Sequence, residues 1–312
     1  MNTSALLAIP LILACVHAAL AQPELIAIDA NQGVYAVNPE TGWKTGIGPQ
    51  WNVGGPVSAI AYDSTSITVY LAAASGALYA TGCEIPSVEL IGPFGDSAIS
   101  VRSLAWNSAN QTLYAISGSD LYAISNTTGA ATFIASINAA GASIAGGSIA
   151  YDSTHNAMYL ASSATDALYH LDLATGNATL IGPLNGPINT SGFTYASDLD
   201  TLYLVCNQTD LLFTVDRDTG ASSVVGSTGP GNLNALAYVA IDCQACPGLL
   251  DCATCPPCPP DYDQNGGVDG GDIGAFFADF EAGARCADVD YDGGVTSADL
   301  AWWFMCFEQC AC

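Results

Sequence analysis

The sequence of 312 residues is poor in basic and imidazole side chains. Four Lys and Arg stand against 29 Asp and Glu, which gives a formal net charge of -25. Binding to nucleic acid depends largely on basic contacts to phosphates, so this composition excludes a nucleic-acid partner. The chain has 3 His, which leaves a Ser-His-Asp triad or a His-rich metal site poorly supported. The Gly-rich phosphate loop, the G-x-S-x-G elbow and the H-E-x-x-H motif are also absent from the sequence.

Long apolar segments are missing after the N-terminal region. Residues 6–20 form one apolar stretch, followed by Ala21, and the sequence Ala19-Leu20-Ala21 has the A-x-A pattern typical of signal-peptide cleavage. We therefore predict that residues 1–21 are a secretory signal peptide. A membrane span needs about 20 apolar residues, and no later segment provides them. The expected location is secreted or on the extracellular surface, with no transmembrane segment.

The remaining composition indicates a folded protein that is rich in short strands. Apolar residues make up 50% of the chain and charged residues 11%, which provides enough apolar surface for a large core and argues against disorder. The 32 Gly and 14 Tyr favour strands joined by tight turns over a helical bundle.

An aromatic residue recurs about every 44 residues, at the end of a short strand-like segment. These residues are Tyr62, Trp106, Tyr151, Tyr195 and Tyr238. Three further strand-like segments follow each of the first four. Four short strands per unit, separated by Gly, Asn, Asp and Ser, predict the four-stranded blade of a β-propeller. We name the strands of a blade A, B, C and D, from the axis outward.

The two ends of the repeat region complement each other. The repeats begin with strands B, C and D of one blade and end with a lone strand A at residues 234–239. Joining these parts predicts a mainly β, five-bladed ring over 22–242 without open sheet edges. Strand A alternates bulky and small residues, as in Ile60 and Tyr62 against Ala59 and Ala61. We expect the bulky face of one blade to pack on the small face of the next. A single elongated β-sandwich is the alternative architecture.

The turns between strands C and D carry a recurrent motif. Tyr169 leads into Asp172-x-x-Thr-Gly176, and Phe213 leads into Asp216-x-x-Thr-Gly220. This pattern resembles the repeats of exported bacterial β-propellers of the quinoprotein-like and YVTN-like kind. Because Asp tolerates tight turns and Gly supplies positive φ, we interpret the motif as structural and not as an active site.

We expect ligand binding on the opposite rim, where the B–C and D–A connections are irregular, because variable loops on a rigid scaffold usually carry binding. Two carboxylates on this rim could form the acid pair of a glycosidase. Solvated turn residues are the alternative, since no local motif singles any of them out. No catalytic residue is therefore assigned. The candidate residues of this rim are Trp51, Asp96, Arg102, Asp120, Asp166 and Asp210.

Residues 243–260 are dense in Cys and Pro, a composition that breaks both helix and strand and predicts an extended linker between two domains. Their C-x-x-C spacings also occur in zinc sites. Export and the lack of a completing His favour disulfides over zinc. Cys83 and Cys206 lie in different blades and cannot be paired from the sequence.

Two acidic segments after the linker match the twelve-residue calcium loop. Ca²⁺ prefers oxygen ligands, and this loop supplies them from side chains at positions 1, 3, 5 and 12 and from the backbone carbonyl at position 7, with Gly at position 6. Both segments contain the complete set, so we predict two Ca²⁺ sites. The predicted ligands are Asp261, Asp263, Asn265, Gly267 and Asp272 in the first loop and Asp288, Asp290, Asp292, Gly294 and Asp299 in the second.

Asp at position 12, in place of the usual Glu of an EF-hand, is the pattern of dockerin modules. Residues 261–312 resemble a type I dockerin, which implies a small α-helical, EF-hand-like calcium module and a cohesin-like or cell-surface protein as partner. Apolar residues at helical spacing follow each loop, including Phe276 and Trp303, and we expect them to form a core. Positions 10 and 11 are Gly270-Gly271 and Ser297-Ala298, which do not support a cohesin of the familiar specificity.

Together these features predict an exported, non-enzymatic binding or interaction protein. Its propeller would present a ligand surface, with carbohydrate as one expected ligand, and a calcium-dependent module would tether it to a partner. The alternative is a polysaccharide-active enzyme, a glycoside hydrolase or lyase with carboxylates on the propeller rim, since dockerin-bearing chains often act on plant or algal polymers.

Overall fold

The computed structural model describes residues 24–239 without 49–50, 52, 83–84 and 145. In the C-terminal part it describes 262, 270–282, 287, 295–297, 300 and 303–304. The predicted signal peptide (1–21) and the Cys- and Pro-rich linker (243–260) lie outside the described residues, as do all predicted calcium ligands except Asp272. No helix among the described residues is both long enough and apolar enough to cross a membrane.

Short strands rich in Val, Ile, Leu and Tyr pair into five antiparallel sheets of four strands each. Each sheet is one blade, so the prediction of a mainly β fold with five four-stranded blades is confirmed. The strands are β1 (Glu24–Asp29), β2 (Val34–Val37), β3 (Lys44–Gly48), β4 (Val57–Asp63), β5 (Thr68–Ala73), β6 (Ala77–Gly82), β7 (Ile85–Pro93), β8 (Val101–Asn107), β9 (Thr112–Ser117), β10 (Asp120–Ile124), β11 (Ala131–Ser136), β12 (Gly147–Asp152), β13 (Ala157–Ser162), β14 (Ala167–Leu171), β15 (Ala178–Pro183), β16 (Thr190–Ala196), β17 (Thr201–Cys206), β18 (Leu211–Val215), β19 (Ser222–Ser227) and β20 (Leu233–Val239).

The last strand of the repeat region closes the ring. Blade 1 has the strand order β20-β1-β2-β3, whereas blades 2 to 5 use four consecutive strands each. β20 pairs antiparallel with β1, from Glu24 opposite Val239 to Asp29 opposite Leu233. The innermost strands β4, β8, β12, β16 and β20 contact one another around the axis. Closure thus removes the exposed edge that β1 would otherwise present.

Bulky and small faces of neighbouring blades interlock, as the alternation in strand A predicts. Leu104 and Trp106 of β8 share an apolar cluster with Ala59 and Ala61 of β4. In the same way, the bulky residues of β12 share a cluster with Ala105 of β8. Burial of these side chains between blades provides the main stabilisation of the ring, since apolar burial is worth roughly 25 cal/mol per Å².

Hydroxyl groups on the small faces join the innermost strands. Ser103 Oγ accepts a hydrogen bond from the backbone N–H of Ile149 at 2.8 Å, and Thr194 Oγ1 accepts one from the N–H of Tyr238 at 3.0 Å. Each bond crosses from one blade to the next. The innermost strand of a blade has no further strand on its axial side. These hydroxyls therefore provide acceptors for buried N–H groups that would otherwise be unpaired.

The Thr-Gly turns bring neighbouring blades into close backbone contact. Gly220 has a φ of 77°, and the space that a Cβ would need at Gly182 of the preceding blade is taken by the carbonyl oxygen of Thr219. Gly226 of blade 5 faces Thr41 and Gly42 of blade 1 in the same way. The structure supports the interpretation of this motif as structural, because turn geometry and blade packing both require it.

In the C-terminal part, one helix is bounded by described residues, α1 (Gly270–Ala282). Tyr262, Phe276, Ala287 and Trp303 are buried together, and the rings of Phe276 and Trp303 stack with centroids 4.5 Å apart. The expected aromatic core is therefore present around these residues. The described residues do not define a second helix, so the dockerin-like, EF-hand-like arrangement stays a prediction.

Candidate functional site: an axial cavity on the open rim

The innermost strands carry a β-bulge at an equivalent position in four of the five blades. The register shifts by one residue at Ser58, Arg102, Ser191 and Asn234, whereas β12 of blade 4 pairs regularly through Gly147. A bulge leaves one residue unpaired and re-aims its side chain. The four bulge residues and Gly147 line one cavity on the axis. The four bulges therefore direct polar side chains into this cavity.

The bulges are also compensated by local hydrogen bonds. Ser58 Oγ donates to the carbonyl oxygen of Ala72 at 3.1 Å, and Ser191 Oγ donates to that of Val205 at 3.2 Å. Each bond satisfies a carbonyl of strand B beside the bulge. These bonds stabilise the bulge, because a backbone carbonyl removed from water needs a hydrogen-bond donor.

The cavity opens on the rim formed by the B–C and D–A connections, which we call the open rim. It has a volume of about 1230 Å³ and is lined by residues of all five blades. Below it the axis is nearly filled by the innermost strands, which leave spaces of about 10 and 70 Å³. A ligand would thus enter from the open rim and stop at this floor.

Arg102 is the one unpaired cation in the cavity. Its side chain is exposed, and it makes no hydrogen bond or ion pair with any residue in the described part of the chain. The other two described basic residues are engaged elsewhere: Lys44 Nζ donates to the carbonyl oxygens of Pro230 and Gly231 at 2.7 and 3.0 Å, and Arg217 lies in an ion-pair cluster on the opposite rim. A free guanidinium in this cavity is available to a ligand.

An aromatic pair lines the cavity on blade 3. The rings of Tyr122 and Phe133 meet edge-on with centroids 5.8 Å apart, and Phe133 is 55% exposed. Burial, followed by the negative charges of Asp120 and Asp96, raises the pKa of the Tyr122 hydroxyl above its ordinary value. Tyr122 therefore stays a neutral hydrogen-bonding group at physiological pH.

Two of the candidate carboxylates lie in the cavity, but both make local bonds. Asp96 Oδ1 accepts the backbone N–H of Ala98 at 2.9 Å, which is a turn interaction. Asp120 Oδ1 accepts the hydroxyl of Ser136 at 2.6 Å. Asp96 thus stabilises a turn, and Asp120 stabilises the start of β10.

The other three candidates lie outside the cavity lining. Asp166 and Asp210 occupy B–C turns with φ of 47° and 51°, and Asp166 Oδ1 accepts the N–H of Ile188 at 3.0 Å. Trp51 is partly buried against the core between blades 1 and 2. The structure therefore brings together Asp96, Arg102 and Asp120 from this set. The polar ring at the bulges has no signal in the sequence, because bulges depend on strand register.

A second polar cluster lies on the opposite rim, formed by the A–B and C–D turns, which we call the turn rim. Asp152, His155 and Asp200 approach as closely as metal ligands do, but Arg217 lies among them. Its guanidinium contacts Asp152 Oδ2 at 2.7 Å and Asp200 Oδ1 at 2.5 Å and also contacts the His155 ring. The guanidinium thus occupies the place that a metal ion would take. The cluster also joins blade 4 to blade 5. Sequence reasoning missed Arg217, because it lies inside an ordinary turn motif.

His170 and Cys206 lie outside both the cavity lining and the cluster on the turn rim. His170 is exposed on β14 and meets the Tyr159 ring edge-on, with centroids 6.3 Å apart. Cys206 is buried and free. In the C-terminal part, Asp272 is fully buried in the first turn of α1.

Comparisons with known proteins assign neither a family nor a function to the chain. No protein-family profile matches the chain, and no curated protein is significantly similar to it. A chain in the crystal structure of a nidogen/laminin complex is 14% identical, with a TM-score of 0.47, over 69% of this chain and 83% of that one. A structural genomics protein of unknown function from Bacteroides thetaiotaomicron is 16% identical, with a TM-score of 0.49, over 69% of this chain and 64% of that one. The strand pairing itself defines this chain as a five-bladed β-propeller.

Proposed function

We propose that this chain is an exported, non-enzymatic binding protein whose propeller takes a polar ligand in the axial cavity. The observation that carries this proposal is the cavity itself, which is lined by residues of all five blades and receives polar side chains at the bulges of four of them. Rigid scaffolds with converging polar groups in a concave site are typical of ligand binding. The local bonds of Asp96 and Asp120 favour binding over hydrolysis.

A saccharide is the ligand class that this lining supports best. Asn189 and Asn207, which line the cavity, hydrogen bond to each other at 2.8 Å, and amide groups can donate to and accept from sugar hydroxyls. The exposed ring of Phe133 offers an apolar face of the kind that packs against the C–H groups of a sugar ring. Hydroxyls and a flat apolar face are what a saccharide presents.

We further propose that residues 261–312 bind two Ca²⁺ ions and attach the chain to a cohesin-like or cell-surface protein partner. The predicted donors are oxygen atoms without nitrogen or sulfur, which fits Ca²⁺. Asp272 provides one structural point of support, since it is buried at the start of α1 beside the aromatic core. Bound Ca²⁺ would offset the repulsion between carboxylates and so stabilise this segment.

A saccharide array with the purified full chain tests the binding proposal. Ser119 is exposed in the cavity, so Ser119→Trp should fill part of it and abolish binding. Ser153→Trp places the same side chain on the turn rim and should leave binding unchanged. Equal binding by both variants would contradict the cavity as the site. Release of shorter saccharides from a bound oligosaccharide, detected by mass spectrometry, would instead support the glycoside hydrolase or lyase.

Calorimetry of the full chain tests the calcium proposal. We expect two Ca²⁺ per chain, one after Asp261→Ala and two after Asp218→Ala, which removes an exposed carboxylate from a propeller turn. A stoichiometry of zero for the unaltered chain would remove the calcium module and the calcium-dependent attachment with it.

A further inference from the structure

Arg102 is an unusual residue for its place in this molecule. The chain has a formal net charge of -25, and yet this guanidinium has no acidic partner among the described residues. It lies at the bulge of β8, on the axial cavity. Serine, glycine and asparagine occupy the equivalent positions in the other blades, at Ser58, Gly147, Ser191 and Asn234. A single cation thus breaks an otherwise neutral ring.

A guanidinium selects planar anions. Its parallel N–H donors match the two oxygens of a carboxylate, and this bidentate pairing is stronger than a hydrogen bond between neutral groups. The cavity offers this contact once. Asp96 and Asp120 line the same cavity, and the net charge of the chain is strongly negative. Ligands with several anionic groups are therefore repelled, whereas a single carboxylate at Arg102 is favoured.

The rest of the lining is neutral and suits hydroxyl groups. The hydroxyls of Ser58 and Ser191 donate to strand B carbonyls but keep lone pairs that can accept from a ligand. Asn234 provides an amide at the same level of the cavity. Farther from the axis, Phe133 offers an exposed aromatic face. A ligand that satisfies this surface has one carboxylate, several hydroxyls and an apolar ring face.

We propose that the axial cavity binds a sugar acid, a short saccharide with one carboxylate, and that Arg102 binds this carboxylate. This inference rests on the proposed saccharide-binding function and names its ligand class. Arg102 is then the specificity-determining residue, which separates acidic saccharides from their neutral counterparts.

Titration calorimetry of the full chain with matched saccharide pairs tests this inference. Each pair holds a disaccharide with one uronic acid and its neutral counterpart, such as cellobiouronate and cellobiose, which differ by a carboxylate against a hydroxymethyl group. We expect the acid of at least one pair to bind about 10- to 100-fold more tightly than its counterpart, as a charge-assisted bidentate contact gives. Arg102→Gln should remove this difference, and Arg102→Lys should retain part of it. Lys44→Gln, which removes one positive charge outside the cavity, should change neither affinity.

Each other result has a distinct meaning. Tight binding of neutral saccharides without preference for the acid would overturn this inference and leave the proposed function standing. Binding of no saccharide would overturn both. An equal loss of acid and neutral binding in Arg102→Gln, with unchanged melting, would assign Arg102 to hydroxyl contacts and contradict the selection of a carboxylate. An acetylated tripeptide with a free carboxylate that binds as tightly as the sugar acid would overturn the saccharide assignment.

Discussion

Removal of Arg217 should destabilise the propeller more than removal of any other described cation. Its guanidinium joins Asp152 of blade 4 to Asp200 of blade 5 at 2.7 and 2.5 Å. Asp152 is fully buried, and the Arg217 side chain is 15% exposed. In Arg217→Ala, a buried carboxylate therefore loses its charged partner while the mostly exposed Asp200 returns to water.

The size of this effect follows from what Asp152 retains. Breaking a fully buried ion pair from one side costs about 3 to 5 kcal/mol. Asp152 Oδ1 still accepts the N–H groups of Thr154 and His155, each at 2.9 Å, so we expect a smaller loss, about 2 to 3 kcal/mol. For a domain of this size, about 1 kcal/mol shifts the melting temperature by about 2 to 4 °C, which predicts a decrease of about 5 to 10 °C.

Differential scanning calorimetry with a matched variant measures this decrease. Arg102→Ala removes the same side chain from a position without an ion pair, so its effect should stay within about 0.5 kcal/mol. Arg217→Lys should recover part of the loss, because the charge remains while the two-sided contact does not. If Arg217→Ala and Arg102→Ala melt within about 1 °C of each other, the inter-blade role of this cluster is wrong.

Three further predictions concern the ring and its turns. Deletion of Leu233–Val239 should expose the edge of β1 and cause aggregation, visible by light scattering; a monomer with unchanged melting would contradict closure by this strand. Gly226→Ala should lower the free energy of unfolding by about 1 to 3 kcal/mol, because the new Cβ would meet the backbone of Thr41. Gly186→Ala, where a Cβ would meet no other atom, should leave it unchanged. Urea titration measures both variants. Hydrogen bonds from Tyr195 and from Arg217 hold the pKa of Asp200 below its usual value. The ionised form of Asp200 therefore stabilises the folded state at neutral pH, and this contribution to stability is lost as the pH falls below about 4. Acid titration of melting should therefore show a smaller pH dependence in Asp200→Asn than in the unaltered chain, and an identical dependence would refute this assignment.

The ring closure was predictable because the repeat is written in strand-forming and turn-forming residues at fixed spacing. The predicted lone strand at 234–239 is β20, one residue longer at its start. The alternation of bulky and small residues predicted blade packing, since each side chain of a strand points to a face set by its position. These features depend on near neighbours in the chain, which is why sequence reasoning could reach them.

The candidate site was predictable in part. The sequence indicated the open rim, and three of its six candidate residues line the cavity: Asp96, Arg102 and Asp120. The other bulge residues of the cavity, Ser58, Ser191 and Asn234, were not predicted, because a bulge is defined by the pairing of two strands and has no fixed motif.

The amino-acid sequence by itself determined the repeat, the blade count, the turn chemistry and the scarcity of cations. Only the tertiary structure decided which of the three described cations is free. Arg217 and Lys44 are satisfied by groups of other blades or distant loops, whereas Arg102 faces a cavity without a partner among the described residues. Pairing of a side chain depends on what the fold brings near it, and residues 65 positions apart, such as Asp152 and Arg217, meet only when the blades stack around the axis.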